Sequence, residues 1–203
     1  MFLPAEPVPV AAETLAASRP LPRRGVRRVR GERALIRGAL AGSEADLEEL
    51  FHRFWPRAYR AAYLIVHDHA AAEDIAQEAF VRAVRHLDQF DRRRPFAPWL
   101  GAIVVNRAID WARARAARRE SSNEAIEPAA LPDPSPAGYS QELVAALASL
   151  SPEHRAVVVL RYVLEYTPGE IAQALELPRG TVNSRLRRGL DALERRLREV
   201  EQT

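Results

Sequence analysis

The sequence of 203 residues contains no cysteine and no lysine. The absence of cysteine excludes disulfides and thiolate metal sites, and it fits a cytoplasmic location. No apolar run approaches the ~20 residues that a helix needs to span a bilayer. The N-terminus also lacks the basic, apolar and small-residue order of a signal peptide. We therefore expect a cytoplasmic protein that is not inserted in a membrane.

Sequence features that enzymes need are missing as well. There is no glycine-rich phosphate loop, no metal-ligand set and no nucleophile placed beside a base. His67 and His69 flank Asp68 in a predicted turn. No further ligand follows at a useful spacing, so a solvated loop is the better interpretation. We predict no catalytic residue, no metal, no cofactor and no enzymatic activity.

The basic residues are all arginine, and they are unevenly distributed. Net charge is only +3, yet the isoelectric point is about 9.8, because 30 arginines supply the positive charge. Arginine suits bidentate contact with phosphate and guanine, although an all-arginine chain also fits a GC-rich genome. Residues 107–119 hold five arginines against one acid, Asp110. This clustering favours a polyanionic partner.

Residues 167–190 predict two short helices joined by a tight turn. Thr167 is a suitable cap for the first helix, Pro168 fits its first turn, and Glu170 completes a capping box. Pro178 ends this helix, because proline lacks an N–H and crowds the preceding turn. The second helix is expected to begin directly after it.

The second helix of this pair has two contrasting faces. Val182, Leu186 and Leu190 recur at i, i+4 and i+8 and are predicted to be buried. The opposite side exposes Asn183, Ser184, Arg187 and Arg188. A helix pair of this kind can place its second helix in the major groove of DNA. An ordinary helical hairpin with a solvated basic face is the alternative.

Residues 43–87 predict two further amphipathic helices. Ser43 caps the first, and apolar residues recur at i, i+3, i+4 and i+7 from Leu47 onward. Pro56 either kinks this helix or starts a new one. The second helix, over residues 70–87, displays a polar stripe of Asp74, Glu78 and Arg85, with Gln77 at its margin. That stripe is either a protein contact or a solvated face.

A short loop over residues 90–97 is followed by a helix over residues 98–119. The loop residues suited to base stacking and phosphate neutralisation are Phe90, Arg92, Arg93 and Phe96. Core aromatics that bracket a basic loop would give the same pattern. On the helix, Asn106, Asp110 and Arg113 align at i, i+4 and i+7, whereas Arg107 lies nearer the apolar side with no evident partner.

Two segments show no helical periodicity over most of their length. Residues 1–42 are rich in proline, alanine and arginine, and the first 25 bury too little apolar surface to stay ordered. Residues 27–40 could form a basic helix. This extension is a nucleic-acid-binding arm, a disordered tail or the product of a start codon placed too early. Residues 121–140 form a proline-rich linker that can reach at most ~66–72 Å. Two more helices are predicted between this linker and Thr167.

Three motifs carry a resemblance to a known family: DIAQEAFVRAV (74–84), FxxWLxxIxxNxxxD (from Phe96), and LSPEHRAVVVLRYV followed by EIAQALELPRGTVNSRLRRGLDAL. In order and spacing the chain resembles the extracytoplasmic-function (ECF) sigma factors of bacterial RNA polymerase, over about residues 44–120 and 141–198. The resemblance implies an all-α fold of two small domains, a region 2 helical bundle and a region 4 helix-turn-helix, joined by a flexible linker.

The resemblance also implies a function and a role for particular residues. A protein of this family directs core polymerase to promoters and initiates transcription. Core polymerase would be bound by Asp74, Gln77 and Glu78. The −10 element would be contacted by Phe90, Arg92, Arg93, Phe96, Asn106, Arg107, Asp110, Arg113 and Arg115. The −35 element would be contacted by Thr181, Asn183, Ser184, Arg187 and Arg188. The implied partners are the clamp helices and flap of core polymerase, promoter DNA and an anti-sigma factor.

The implied organisation has four segments. They are a basic, largely disordered extension (1–42), a region 2 domain (43–120), a proline-rich linker (121–140) and a region 4 domain (141–203). Promoter elements about 17 base pairs apart are separated by roughly 58 Å, which the linker can span and one rigid domain of this size cannot. The competing interpretation is an autonomous helix-turn-helix regulator that binds duplex DNA without core polymerase.

Overall fold

The structure is a computed structural model that describes residues 31–121 and 138–201, and the regular elements in these ranges are helical. The helices are α1 (Glu32–Leu40), α2 (Glu44–Val66), α3 (His69–Arg85), α4 (Phe96–Ser121), α5 (Gln141–Ala148), α6 (Pro152–Tyr162), α7 (Pro168–Ala174) and α8 (Arg179–Glu201). A 3₁₀ turn, Leu87–Gln89, follows α3. The predicted all-α fold class is confirmed. Residues 1–30 and nearly all of the predicted linker lie outside the described residues.

Helix starts in both halves of the chain are fixed by side-chain caps. The capping side chain accepts a backbone N–H from three residues further on at Ser43, Asp68, Ser140, Ser151 and Thr167. Thr167 and Glu170 bond reciprocally, so the predicted capping box is confirmed. The backbone N–H of Thr167 donates to the Glu170 carboxylate and lowers its pKa. Each such cap stabilises its helix by about 1 kcal/mol.

The first half of the chain, α1 to α4, is a bundle with α2 at its centre. Helix α2 contacts α1, α3 and α4, and its C-terminal part is buried almost all round. The largest fully buried side chains of α2 are Leu50, Tyr63, Leu64 and Ile65. The helix runs through Pro56 without ending, so Pro56 does not start a new helix. The missing proline N–H costs one helical hydrogen bond, which packing on three sides offsets.

Helix α1 lies within residues 27–40, for which the sequence allows a basic helix, at the end of the extension (1–42) that was expected to be largely disordered. Residues 32–40 form this helix, which packs on α2. Leu35 and Ile36 are each only 1% exposed. Fully burying two aliphatic side chains stabilises this packing by roughly 3–6 kcal/mol, which the composition of the whole segment does not reveal.

The second half of the chain, α5 to α8, packs mainly around α6 and α8. Val182 and Leu186 are buried as predicted, but Leu190 is 38% exposed and Leu193 is buried instead. Gly189 supplies the intervening contact: a Cβ there would lie 3.0 Å from the Val158 side chain. The buried stripe therefore follows the true helical period through Gly189 and Leu193, and the prediction for Leu190 is wrong.

The two halves of the chain pack against each other. Helices α5 and α6 contact α2, and α6 and α7 contact α4. Leu164 and Tyr166 are each 2% exposed, and the Tyr166 hydroxyl donates to the Ala97 carbonyl at 3.1 Å. A Cβ at Gly101 would collide with that hydroxyl, so glycine permits this approach. Burial raises the pKa of Tyr166.

Arg155 connects the two halves through backbone carbonyls. Its Nε donates to Leu147 O and its Nη2 to Ala148 O and Leu150 O, each at 2.8 Å, whereas Nη1 donates to Ile65 O. The side chain is buried, and burial lowers its pKa to about 10. The Ile65, Leu147 and Ala148 carbonyls lie at the C-terminal ends of α2 and α5, where the helix dipole favours a cation. Leu150 lies between α5 and α6.

His67, which caps the C-terminal end of α2, does not lie in a solvated loop as predicted. Its backbone has φ 53°, and both ring nitrogens are buried with no hydrogen-bond partner in the described parts of the chain. The ring packs edge-on against Tyr63 at 6.3 Å between centroids. Burial, together with the nearby Arg155 charge, lowers the pKa of His67 to about 3. The folded protein therefore holds His67 neutral.

We expect this histidine to make the fold acid-sensitive. Its pKa falls from 6.5 in the unfolded chain to about 3 in the folded chain, so only the unfolded state binds the proton in between. Stability is then complete above pH 6.5 and declines as the pH falls toward 3. Lowering the pH from 7 to 5 should reduce the free energy of unfolding by about 2 kcal/mol. Urea unfolding at both pH values measures it, and His67→Asn, which tolerates the left-handed backbone, should remove most of the difference. An unchanged pH dependence in that variant would contradict the assignment.

Candidate nucleic-acid interface

The helix pair predicted from residues 167–190 is present. Helix α7 ends at Ala174, and α8 begins at Arg179 after a turn in which Glu176 adopts φ 53°. The Leu177 N–H donates back to Ala172 O at 2.9 Å, which satisfies a carbonyl at the end of α7. Helix α8 packs against α5, α6 and α7, so its angle to α7 is fixed from several sides.

The polar face of α8 is available to a partner. Asn183, Arg187 and Arg188 are exposed, and their side chains form no hydrogen bond or ion pair within the described ranges. Thr181 and Ser184 are partly exposed, and the Ser184 hydroxyl donates to Thr181 O at 2.9 Å. The side chains predicted to contact the −35 element therefore share one face at the N-terminal part of α8, above the buried Val182 and Leu186.

The polar stripe of α3 is also at the surface. Asp74, Gln77 and Glu78 are exposed, and Val81 beside them is a large apolar side chain with 49% exposure. The Arg107 guanidinium forms an ion pair with Glu78, which supplies the partner that the sequence did not reveal. The hydrogen bond between them lowers the pKa of Glu78 and raises that of Arg107. The surface predicted to bind polymerase is thus contiguous with the surface predicted to bind the −10 element.

Two aromatic side chains that were predicted to contact the −10 element lie in the core and not on the surface. Phe90 is 5% exposed and Phe96 is 3% exposed. Phe90 packs on Trp99 with 4.9 Å between ring centroids, and Phe96 packs on Phe54 with 5.1 Å. The alternative interpretation of this loop, core aromatics on either side of basic residues, is the one that the structure has. Neither ring is free to stack on a base.

The basic residues of the same loop are exposed. Arg92 and Arg93 lie at the surface between the two buried aromatics. The backbone N–H of Arg93 donates to the Asp91 carboxylate at 3.0 Å, which holds the turn. Asp110 on α4 is exposed as well. The loop therefore presents cationic side chains on a backbone fixed at both ends.

Two side chains of α4 that were predicted to contact the −10 element have partners in the second half of the chain. Asn106 Nδ2 donates to Ala174 O in α7 at 2.9 Å, and Arg113 forms an ion pair with Glu153 in α6 at 2.7 Å. Burial opposes ionisation of Glu153, but the Arg113 hydrogen bond leaves its pKa lowered. The Asn106 amide and the Arg113 guanidinium therefore face α7 and α6.

Arg115 is held within the first half of the chain. It pairs with Asp68 at 2.9 Å, and its guanidinium lies 5.0 Å from the centre of the Trp111 ring. The hydrogen bond from the Ala71 backbone N–H lowers the pKa of Asp68, and the hydrogen bond from Arg115 lowers it further. The sequence did not mark Asp68 or Glu153 as arginine partners, because each lies far along the chain from the arginine that it pairs with.

The described residues contain neither a metal site nor a membrane span. No group of three or more His, Asp or Glu side chains in residues 31–121 and 138–201 is arranged to hold a metal ion. In the same part of the chain no helix has the length and apolar character needed to cross a bilayer.

Family models match both halves of the chain. Sigma-70 region 2 matches residues 41–118, and Sigma-70 region 4 matches residues 140–193. The chain is thus a sigma-70 protein that carries these two regions. Curated relatives include the ECF RNA polymerase sigma factor SigW of Bacillus subtilis (strain 168), 30% identical over 81% of this chain and 96% of the relative. The ECF factor SigL of Mycobacterium tuberculosis (strain ATCC 25618 / H37Rv) is 34% identical over 82% and 97%. The chain belongs to the ECF RNA polymerase sigma factors, which are initiation factors.

Solved sigma-factor structures share this fold. CnrH in complex with the cytosolic domain of CnrY is 27% identical, with a TM-score of 0.61 over 82% of this chain and 97% of CnrH. The sigma factor RpoE in complex with the anti-sigma factor NepR, from Bartonella quintana, is 25% identical, with a TM-score of 0.63 over 75% and 97%. The similarity extends across both halves of the chain.

Proposed function

We propose that this ECF sigma factor binds core RNA polymerase and promoter DNA through three faces, on α3, on α4 with the loop before it, and on α8. The observation that carries the proposal is the exposed polar face of α8 above its buried apolar stripe. We assign no catalytic step to the chain, and we place its action in the cytoplasm with RNA polymerase.

The α3 face is proposed to bind the clamp helices of core polymerase. Asp74, Gln77 and Glu78 are exposed on one side of the helix, next to the apolar surface of Val81. An acidic and amide stripe beside an apolar patch has the composition of a small protein contact: the apolar part excludes water and the polar part sets orientation. The Glu78–Arg107 ion pair lies at the edge of this face. Polymerase binding would either keep this pair and contact it, or replace Arg107 with a polymerase group as the partner of Glu78.

The −10 element is proposed to bind the loop and the adjoining side of α4. The cations proposed for phosphate contact are Arg92 and Arg93, which are exposed, together with Arg107, Arg113 and Arg115. The last three would have to leave their ion pairs with Glu78, Glu153 and Asp68. Asn106 and Asp110 are the side chains that can bond to the edge of an unstacked base. Phe90 and Phe96 support the loop from below, because both are buried. Base stacking, if it contributes, has to come from a ring that is partly exposed, and Trp99 meets that requirement.

The −35 element is proposed to bind the exposed face of α8 in the major groove. Arg187 and Arg188 are long enough to bond guanine edges or phosphates, and Asn183 can bond adenine. Thr181 and Ser184 lie nearer the start of the helix, where contacts to phosphate position the reader.

Arginine substitutions on α8 test this assignment. We expect Arg187→Ala or Arg188→Ala to weaken holoenzyme binding to the −35 element by ~1–3 kcal/mol if the side chain is bidentate to guanine. The loss should be largest on the preferred sequence and disappear on a promoter with a scrambled −35 element. Arg195→Ala, an exposed arginine further along α8, is the matched control. An equal loss on every sequence would reassign the residue to phosphate contact.

Core dependence separates this proposal from an autonomous regulator. A regulator binds duplex promoter alone, commonly as a dimer on a palindrome. The proposed sigma factor binds weakly until core polymerase is present, because Asn106 and Arg113 are engaged with α7 and α6 in the free chain. Gel-shift titration with and without core enzyme distinguishes the two, and tight binding without core would favour the regulator.

Simultaneous contact with both promoter elements requires the two halves of the chain to separate. Elements about 17 base pairs apart lie roughly 58 Å apart, whereas Asn106 touches Ala174 in the helix next to the −35 reader. The linker predicted over residues 121–140 is long enough for this movement. An anti-sigma partner is proposed by similarity to CnrH and RpoE, whose structures are complexes with CnrY and with the anti-sigma factor NepR. We also propose contact with the polymerase flap through the α5–α8 half.

A further inference from the structure

We propose that Glu32 of α1 is a positioning residue for recognition of the −10 element, because it caps α4, the helix proposed to contact that element. Its Oε1 accepts a hydrogen bond from the backbone N–H of Phe96 at 2.7 Å. Phe96 is the first residue of α4. The inference rests on the proposed function of the loop and α4, and it adds a residue that the region 2 match, which begins at residue 41, does not include.

The residue directly before α4 supplies no side-chain cap for the helix. The first N–H groups of a helix have no partner within the helix, and a Ser, Thr, Asp or Asn at the cap position commonly satisfies one of them. Here Pro95 precedes the helix and has no side-chain oxygen. Glu32, which is 64 residues away in sequence, supplies the acceptor. Its negative charge also suits the positive end of the helix dipole.

Helix α1 is packed closely enough on the bundle to act as a support. Leu35 and Ile36 are buried against the bundle. The Ser43 N–H donates to Gly38 O at 2.9 Å, and a Cβ at Gly38 would collide with Asp46, so α1 lies tightly on α2. Helix α1 also contacts the 3₁₀ turn Leu87–Gln89. It therefore touches both ends of the arginine-bearing loop.

This arrangement defines how Glu32 would affect promoter recognition. The loop residues Arg92 and Arg93 are exposed between two buried aromatics, and the second aromatic, Phe96, begins α4. A free helix start would fray over its first turn. Fraying there changes the path of the loop backbone but leaves the exposed stripe of α3 and the reader face of α8 as they are. Loss of Glu32 should therefore weaken binding to the −10 element selectively.

The test measures holoenzyme binding to a single-stranded non-template oligonucleotide that carries the −10 sequence. Glu32→Ala is expected to weaken this binding about 5-fold, the factor that corresponds to one lost helix cap. Glu32→Gln keeps an acceptor oxygen and should stay within about 2-fold of wild type. Glu44→Ala, which removes an exposed acid from the first turn of α2, is the control and should change nothing. Core binding and −35 duplex binding should be unchanged in all three variants.

A second substitution tests whether Glu32 acts by capping α4. A new cap placed at the start of α4 should restore binding if the cap is what was lost, but not if Glu32→Ala disrupts the fold generally. Pro95→Asp places a capping carboxylate directly before α4, and combined with Glu32→Ala it should recover most of the affinity for the −10 oligonucleotide. Pro95→Asp alone provides the reference. Amide hydrogen exchange at Phe96 should be slow in the wild type and about 5-fold faster in Glu32→Ala, which checks the cap even if that variant loses activity.

The outcomes separate the two levels of the proposal. If wild-type holoenzyme does not bind the −10 oligonucleotide, the proposed function of the loop and α4 fails. If the wild type binds and Glu32→Ala binds equally well, the role of Glu32 is overturned. Equal losses in −10, −35 and core binding, or failure of the Pro95→Asp rescue, would also overturn it, because they indicate a general loss of structure.

Discussion

Joining Arg113→Cys to Glu153→Cys with a short bismaleimide is expected to abolish transcription from a promoter that needs both the −10 and the −35 elements. The native side chains meet at 2.7 Å, so a linker about as long as the two side chains together fixes the halves in contact. Because the chain contains no cysteine, the two introduced thiols are the sole attachment points. Transcript levels should fall to those of core enzyme alone.

The physical reason is a mismatch of distances. Asn106, proposed for the −10 element, bonds to Ala174 at 2.9 Å, and four residues separate Ala174 from the start of α8 at Arg179. The two promoter elements are separated by roughly 58 Å of duplex. A chain held in this arrangement can engage one element or neither, but not both. The loss should therefore be complete and should not depend on promoter strength.

A cleavable linker provides the internal control. With a disulfide inside the bismaleimide, reduction should restore activity in the same sample, which excludes damage to the protein. Each single-cysteine variant capped with N-ethylmaleimide shows the effect of losing one side chain. Pull-down by core polymerase tells whether the joined form fails at docking or at promoter contact. Full activity of the joined form on a two-element promoter would show that the halves need not separate.

The helix-turn-helix was the part of the fold best predicted from sequence, because its signals are local. Thr167 and Glu170 lie within one helical turn, and Pro178 stops α7 from extending into α8. These signals depend on backbone geometry over a few residues, so tertiary contacts do not alter them. The structure begins α7 at Pro168 and α8 at Arg179, as the sequence indicates.

A sequence pattern that fits two structures does not predict which side chains are buried. A strict i, i+4, i+8 stripe drifts by about 40° at each step, and so Leu190 leaves the buried face that Gly189 and Leu193 continue. Phe90 and Phe96 have the residue type that both a base-stacking loop and a core require. Burial decides between the two uses, and burial is a property of the whole bundle.

Several long-range contacts had no sequence signal, because one partner in each of them is a backbone atom. Arg155 bonds to carbonyls, Asn106 to Ala174 O, and Glu32 to the Phe96 N–H. Every residue has a carbonyl and nearly every residue has an N–H, so neither spacing nor residue type marks the one that will be used. Side-chain pairs such as Arg107 with Glu78 are only slightly better marked, since many acids were available.

Replacing Arg155 is expected to produce a large loss of stability. Its guanidinium donates to the carbonyls of Leu147, Ala148, Leu150 and Ile65. Arg155 is only 8% exposed. A buried acceptor left unsatisfied costs about 1–3 kcal/mol. Some of these carbonyls end α5 and can regain water, so the sum is smaller than four full penalties. We expect Arg155→Met, which keeps most of the side-chain volume, to lower the unfolding free energy by about 2–4 kcal/mol.

Urea unfolding of the full chain, followed by circular dichroism, measures this loss. Arg155→Lys should recover little, because an ammonium is a single point of donation and cannot reproduce the planar arrangement of donors that spans carbonyls on two helix ends. Arg195→Ala, an exposed arginine on α8, should stay within about 0.5 kcal/mol of wild type. In the Arg155→Met variant the two halves of the chain should also separate more readily, because the hydrogen bond from Arg155 to the Ile65 carbonyl joins them. A midpoint for Arg155→Met equal to that of wild type would mean that water replaces the guanidinium without cost, and the buried arginine would then have no structural role.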